Sequence, residues 1–284
     1  MILVTGAGGT VGSEVVRQLQ QAGAKFRAAY HSADKAKAAK AKSIDAVVID
    51  YDKPESLRDA LRGVDKLFLL SSGGATQIEQ ETGAAEAARA AGVKHIVKLS
   101  VWGAEGEGFS FAKIHRAAEK AIEKTGVAWT FLRPNGFMQN MVNYNGASIK
   151  GQGAFYGSAG STKISHVNVK DIAAVAVKTL TEGGHENKAY SLSGPEALTY
   201  QEIAQKIGKA AGRDVKYVDL PDDQLKGGMV SAGIPAQYAD ALIDLNRYYR
   251  KDTASKVTDD VKRVTGRAPI SFDQYLKESA GAFK

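Results

Sequence analysis

Met1-Ile2-Leu3-Val4-Thr5-Gly6-Ala7-Gly8-Gly9-Thr10-Val11-Gly12 opens the chain, and its reading decides the fold. A short, branched apolar run has the residue types of a buried strand, and it meets glycines at once. An amphipathic stretch follows directly, so the glycines sit between a strand and a helix. A dinucleotide site asks three things of such a turn: tightness, close backbone approach to a pyrophosphate, and a helix whose first amides face the anion. Gly6, Gly9 and Gly12 supply these, with Thr10 and Val11 leading into the helix. Their spacing is GxxGxxG, and Gly8 makes a GxGxxG register available as well. On its own such a turn is equally a plain strand-to-helix connection.

The rest of the first half gives the turn its context. Apolar strand-like runs at 2–5, 26–30, 46–49, 66–70, 95–100 and 128–132 alternate with helical patterns at 11–22, 33–42, 54–61, 77–91 and 113–124. Runs that are hydrophobic throughout belong in a sheet covered on both faces. The expected fold class is therefore α/β, a Rossmann-like doubly wound parallel sheet. Past Pro134 the rhythm loosens into a turn-rich stretch at 146–160, then an apolar run at 164–169, a helix at 171–181 and a strand near 190–192. Thr199 with Glu202 three residues on forms a capping box for a helix over 199–211. Segments 216–220, 236–247 and 271–283 complete a smaller, mainly helical C-terminal lobe. The expected division is a dinucleotide-binding core at 1–135 and a substrate-binding lobe at 136–284, with parts near 160–195 returning to the core sheet.

Composition narrows the function classes. The 284 residues include no cysteine, which removes disulfides, thiolate metal sites and cysteine nucleophiles together. The net charge of +7 owes much to Lys35, Lys37, Lys40 and Lys42, spaced between alanines as on a solvated helix face. No aromatics interleave with them, so no nucleic-acid partner is expected. No stretch approaches the roughly 20 apolar residues of a membrane span, and no basic segment precedes Ile2, so a cytoplasmic protein without a membrane partner is expected. No metal-binding, nucleophile-elbow or paired-carboxylate motif appears, and nothing specifies an oligomeric state.

Cofactor choice rests on the end of the second strand, where NAD-binding proteins place an acid against the adenosine ribose. Here Tyr30 is followed by His31 and Ser32, with Lys35 one turn on, a set suited to a 2′-phosphate. NADP(H) is the expected cofactor, with NAD(H) also accepted because Asp34 lies nearby. Asp50 after the third strand is placed to meet the adenine edge, or is a plain turn acid. Ser71 and Ser72 after the fourth strand are placed to contact ribose or phosphate, or simply begin a loop.

Four segments give the chain a family resemblance. They are 4–12, quoted above; Gly126-Val127-Ala128-Trp129-Thr130-Phe131-Leu132-Arg133-Pro134 with Phe137-Met138-Gln139-Asn140; Ile164-Ser165-His166-Val167-Asn168-Val169-Lys170-Asp171-Ile172-Ala173; and Tyr190-Ser191-Leu192-Ser193-Gly194-Pro195-Glu196-Ala197-Leu198-Thr199. In order and spacing they resemble the NmrA-like, atypical short-chain dehydrogenase/reductase family, which includes azo-dye, quinone and triphenylmethane reductases. The resemblance implies a Rossmann-like cofactor domain and a lobe closing a cleft where nicotinamide meets an aromatic substrate. It maps Gly6, Gly9, Thr10, Val11 and Gly12 onto the phosphate loop, and Pro134, Asn135, Gly136 and Phe137 onto the nicotinamide end. His31 stands where the family often has an arginine.

The catalytic tyrosine of ordinary short-chain dehydrogenases is missing, because Phe109 stands four places before Lys113 in Phe109-Ser110-Phe111-Ala112-Lys113. Lys113, as a ribose anchor, and His115, oriented by Glu119 at i+4, are the candidate catalytic residues; both also read as ordinary helix-surface charges. Trp102, Phe137, Met138 and Tyr144, with Asn140 as a polar contact, are candidates for a pocket around a small aromatic substrate. Hydride transfer to an electron-poor quinone, azo compound or dye needs little proton machinery, so an NAD(P)H-dependent reductase is the leading expectation. A non-catalytic NAD(P)-sensing regulator that binds a protein partner is the alternative, and a cofactor-retaining isomerase or epimerase the third.

Overall fold

The protein is described by a computed structural model covering residues 1–284 except Ser72 and Ala75. The first half alternates as its sequence predicts: β1 (Ile2–Val4), α1 (Thr10–Gln21), β2 (Phe26–Tyr30), α2 (Ala33–Lys40), β3 (Ala46–Val48), α3 (Pro54–Ala60), β4 (Lys66–Leu69), α4 (Gln77–Ala90), β5 (His95–Leu99), α5 (Ser110–Lys124) and β6 (Ala128–Pro134). Then come α6 (Asn140–Asn143), α7 (Gly146–Gln152), β7 (Ala154–Gly157), α8 (Val169–Thr181) and β8 (Lys188–Leu192). The chain ends with α9 (Tyr200–Ala211), β9 (Lys216–Asp219), α10 (Asp222–Ser231), α11 (Ala236–Tyr249), α12 (Asp260–Thr265) and α13 (Phe272–Ser279).

Seven strands form one sheet in the order β3-β2-β1-β4-β5-β6-β8, every pair parallel. The chain runs outward from β1 in one direction and then restarts at β4 in the other. That reversal opens a crevice beyond the C-terminal ends of β1 and β4, the place where doubly wound sheets bind ligands. One apolar core, with Val11, Val15, Leu19, Ile172 and Ala176, lies under α1 and α8. A second, with Leu57, Leu61, Ala84, Ala88 and Ile122, lies under α3, α4 and α5 on the opposite face. No helix among the described residues is long and apolar enough to cross a membrane.

The C-terminal half departs from expectation in particular places. The stretch 146–160 is not a string of turns: Ile149, fully buried, anchors α7, which Gly153 ends in the left-handed region at φ +64° before β7. β7 pairs in parallel with β9, so the lobe has a small sheet of its own. The apolar run at 164–169 makes two single bridges, Ile164 with Leu198 and Val167 with Phe137. Helices α10 and α12 were hidden by glycine and by charge. The capping box at Thr199 and Glu202 is present with both of its hydrogen bonds.

Candidate functional site

At the head of the crevice the glycine turn is held by packing. Gly6 has φ +64°, and a Cβ there would lie 2.9 Å from the Leu70 carbonyl oxygen. A Cβ on Gly12 would overlap the carbonyl oxygen of Gly6. Helix α1 therefore abuts the turn so closely that only glycine fits at either position. Gly9 caps α1 with no side chain in the way, while Gly8, Gly9 and Thr10 are exposed and Val11 is buried. The first amides of a 12-residue helix thus face open crevice, and such a terminus favours phosphate. The Thr5 hydroxyl donates to Phe68 and Leu70 carbonyls at 3.1 and 3.0 Å, and Leu70 N–H donates back to it at 2.8 Å, which locks the ends of β1 and β4 together. The backbone and packing fit a dinucleotide pyrophosphate.

Beside the turn, Lys35 Nζ donates to the Gly8 carbonyl at 3.3 Å, which brings a cation over the loop. His31 is exposed next to it. The Ser32 hydroxyl accepts from Lys35 N–H at 3.3 Å and is spent capping α2. Asp50 accepts from Asp52 N–H at 3.1 Å and pairs with Lys53 at 3.5 Å, as a turn acid does. Ser71 is buried and turned inward, donating to Glu81 at 3.0 Å. Ser72 lies outside the described residues.

Glu81 belongs to a polar cluster that sequence reading missed. It pairs with Lys98, and both side chains are fully buried between α4 and β5. Lys98 Nζ also donates to the Leu99 carbonyl at 3.0 Å and to His115 Nδ1 at 3.2 Å. Gln77 approaches the same imidazole at 3.4 Å. Burial, and then the Lys98 charge, hold the His115 pKa well below its ordinary value. A lysine in a strand of apolar residues is the one signal that hinted at this, because a charge there must be paired.

The expected pairing of His115 with Glu119 is not formed. Glu119 is fully buried and accepts from Ser100 at 2.6 Å and from Arg133 at 3.0 and 2.7 Å. Burial alone would push its carboxyl up, but these bonds, with that from Arg116, hold it below the usual range. Helix α5 turns Glu119 toward β6, where an arginine waits, and His115 toward β5 and α4. Lys113 is exposed on the outer side of α5. The helix begins at Ser110, three residues ahead of the pattern, because Asp244 of α11 supplies the cap, accepting from Ser110 N–H at 2.7 Å and from its hydroxyl at 2.6 Å.

That cap draws the lobe over the sheet. Phe109, at the missing tyrosine's position, is 1 % exposed and packs on Tyr248 with ring centroids 4.5 Å apart. A cleft of about 850 Å³ opens between the two parts, lined among others by Gln77, Phe111, Ile114, Tyr238 and Asp244. Phe111 and Tyr238 meet there edge to face at 5.6 Å. Of the proposed pocket residues, Tyr144 is 73 % exposed, while Phe137 and Asn140 are half-buried. Trp102 and Met138 are buried: the Trp102 indole donates to the Thr253 carbonyl at 2.9 Å, and Met138 joins the lobe core with Phe155 and Ile207. Pro134 ends β6 and is buried. The Asn135 side chain is likewise inside, donating to Ser165 and Ala254 at 2.9 Å each, while its Oδ1 accepts from Gly136 N–H at 2.9 Å and the Pro134 and Gly136 carbonyls accept from Trp102 and Val167 N–H at 2.9 Å each.

Residues 1–276 match the model of the NmrA-like family. The chain is 40 % identical over 286 residues to an NAD(P)H azoreductase of Xenophilus azovorans, covering 100 % of this chain and 99 % of that one. Among solved structures it superposes on the NADPH-dependent quinone oxidoreductase of Escherichia coli complexed with NADPH, with a TM-score of 0.90, 30 % identity and 98 % and 99 % of the two chains covered. It also superposes on the Citrobacter sp. triphenylmethane reductase complexed with NADP(H), with a TM-score of 0.89, 31 % identity and 98 % and 100 % covered.

Proposed function

The chain belongs to the NmrA-like family, and from that premise we propose that it is an NAD(P)H-dependent oxidoreductase that delivers a hydride to an electron-poor aromatic acceptor, a quinone, an azo compound or a related dye. The observation that carries the reading is the glycine turn, packed so that Gly6 and Gly12 admit no side chain and the amides of α1 stay open at the switch point. The reduced nicotinamide supplies the hydride when bound. The chain's own part is to hold and orient. Thr10 and Val11 present backbone N–H groups to the pyrophosphate, while Lys35 and His31 meet the 2′-phosphate and favour NADPH over NADH. The loop after β6, Pro134 to Phe137, lies against the nicotinamide end.

No tyrosine stands where ordinary short-chain dehydrogenases keep their acid, and the buried Phe109 cannot donate a proton. Quinones and azo compounds suit this, since water can protonate the product, and a cationic dye carbon accepts a hydride without any proton. Phe111 and Tyr238 give the cleft an aromatic lining for such a substrate. NADPH consumption with a panel of quinones, azo compounds and cationic triarylmethane dyes tests the reading. Steady turnover with at least one class is expected. Tight NADPH binding with no turnover across the panel would instead support a cofactor-sensing protein.

A further inference from the structure

The cleft between the sheet and the lobe is unevenly charged. It begins at the crevice end of the sheet, with Gly74 in the loop after β4 and Gln77 at the start of α4, and runs along α5 to α10 and α11. Four of its lining side chains are carboxylates, Asp222, Asp223, Asp240 and Asp244, against two cations, Lys226 and Arg247. Both cations are committed. Arg247 donates to Asp222 at 2.8 Å, beside Arg250 at 2.9 Å, and Lys226 pairs with Asp240 at 2.5 Å. Neither Asp223 nor Asp244 has an ion-pair partner among the described residues.

Of these two, Asp244 is the better placed to act on a ligand. Asp223 is exposed, whereas Asp244 is half-buried where α11 meets the start of α5. The bonds it accepts from the Ser110 N–H and hydroxyl both land on Oδ2, and Oδ1 has no hydrogen-bond partner among the described residues. Neutral donors leave the carboxylate its full charge, and partial burial removes some of the screening by water. The next residue on α5, Phe111, forms the edge-to-face pair with Tyr238, which lies six positions before Asp244, about 9 Å along α11. A free carboxylate oxygen thus stands within a small molecule's length of two aromatic rings, whose faces attract positive charge. Capping alone does not call for that charge, since asparagine caps a helix as well as aspartate does.

We propose that Asp244 sets the charge preference of this cleft, so that an aromatic acceptor carrying a positive charge is taken ahead of a neutral or anionic one. Its ring lies on Phe111 and Tyr238, and its cation meets Asp244 Oδ1. The proposal rests on the reading of this cleft as the acceptor site and narrows the class of acceptor. An anionic acceptor, such as a sulfonated azo compound, would face Asp244 and Asp223 with both lining cations already paired.

Three azobenzenes that differ in one para substituent test this: trimethylammonium, its neutral isostere tert-butyl, and sulfonate. Their affinities are measured by calorimetry on protein saturated with the tetrahydro analogue of NADPH, whose ring is uncharged and gives up no hydride. Wild-type protein is expected to bind the trimethylammonium compound about tenfold more tightly than the sulfonate, with the tert-butyl compound between them. Salt at about 1 M should bring that ratio to within about threefold of one. Asp244→Asn keeps an oxygen for Ser110 and removes the charge, so it should lower the ratio in the same way without added salt. A purely structural role for Asp244 would weaken all three compounds alike. A wild-type ratio near one, a ratio that salt does not lower, or one that Asp244→Asn retains would each overturn the proposal and leave the acceptor reading standing. Binding of a quinone but of none of the azobenzenes would also overturn the proposal alone, and binding of none of the four would overturn both.

Discussion

The two ends of the cleft are built in opposite ways. At the phosphate end a single stretch, Gly6 to Gly12, does the work with backbone, and its shape depends on atoms that glycine lacks. At the reacting end the walls come from residues far apart in sequence: Gln77 on α4, Phe111 and Ile114 on α5, and Tyr238 and Asp244 on α11. A backbone site tolerates changes at most side chains and fails when a Cβ is added. A side-chain site depends on contacts made across the fold, so it should yield to losses of buried charge, to acid and to single truncations.

The largest effect should come from Lys98→Met, which leaves Glu81 buried without its cation. Loss of one partner of a buried pair costs about 3–5 kcal/mol, read from urea denaturation, and adding Glu81→Gln should restore most of it. If the single variant is as stable as the parent, the buried pair is not what supports this wall. Acid should act on another buried side chain, His166. The folded-state pKa of His166 is depressed to about 4 from 6.5, so the unfolded chain takes up that proton first. Its contribution is whole above about pH 6.5 and is lost as pH falls toward 4, up to about 3 kcal/mol. Denaturation midpoints that do not change between pH 7 and pH 4.5 would contradict it.

At the phosphate end, Gly12→Ala forces α1 away from the turn. NADPH affinity should drop roughly 100-fold, with about 1–3 kcal/mol of stability lost to overpacking. Unchanged binding by calorimetry would mean the turn does not hold the pyrophosphate. Asp244→Ala removes the cap on α5 and should cost about 1 kcal/mol, while raising the KM for the aromatic acceptor more than that for NADPH. Equal changes in both constants would place Asp244 outside the acceptor wall. The smallest expected effect is at Lys35, where Lys35→Ala should lower the NADPH-to-NADH affinity ratio about three- to tenfold, as expected for an exposed charge. A constant ratio would assign cofactor selectivity elsewhere.

The same contrast explains what the sequence disclosed. The parallel sheet was legible because each strand is a short apolar run and each helix repeats at its own period, with Pro54 and Thr199 marking helix starts. The phosphate turn was legible because glycine is chosen for what its backbone must do locally. The reacting end was not, since nothing in Gly103 to Gly108 tells that Tyr248 packs on it, and nothing in Ser110 tells that Asp244, 134 positions on, caps its helix. Helical spacing suggested that His115 and Glu119 pair. Arg133 on β6 and Lys98 on β5 offered each a better partner, which local periodicity does not register. Lys98 itself was readable only as a charge misplaced in an apolar strand.

The claim at the centre of this account is direct hydride delivery by cofactor held at the glycine turn, and isotope transfer tests it most directly. NADPH carrying deuterium on the transferred face of its nicotinamide C4, mixed with a cationic triarylmethane dye that turns over, should place that deuterium on the central carbon of the colourless product, and Gly12→Ala should slow the transfer. Reduced dye without the label would contradict the account.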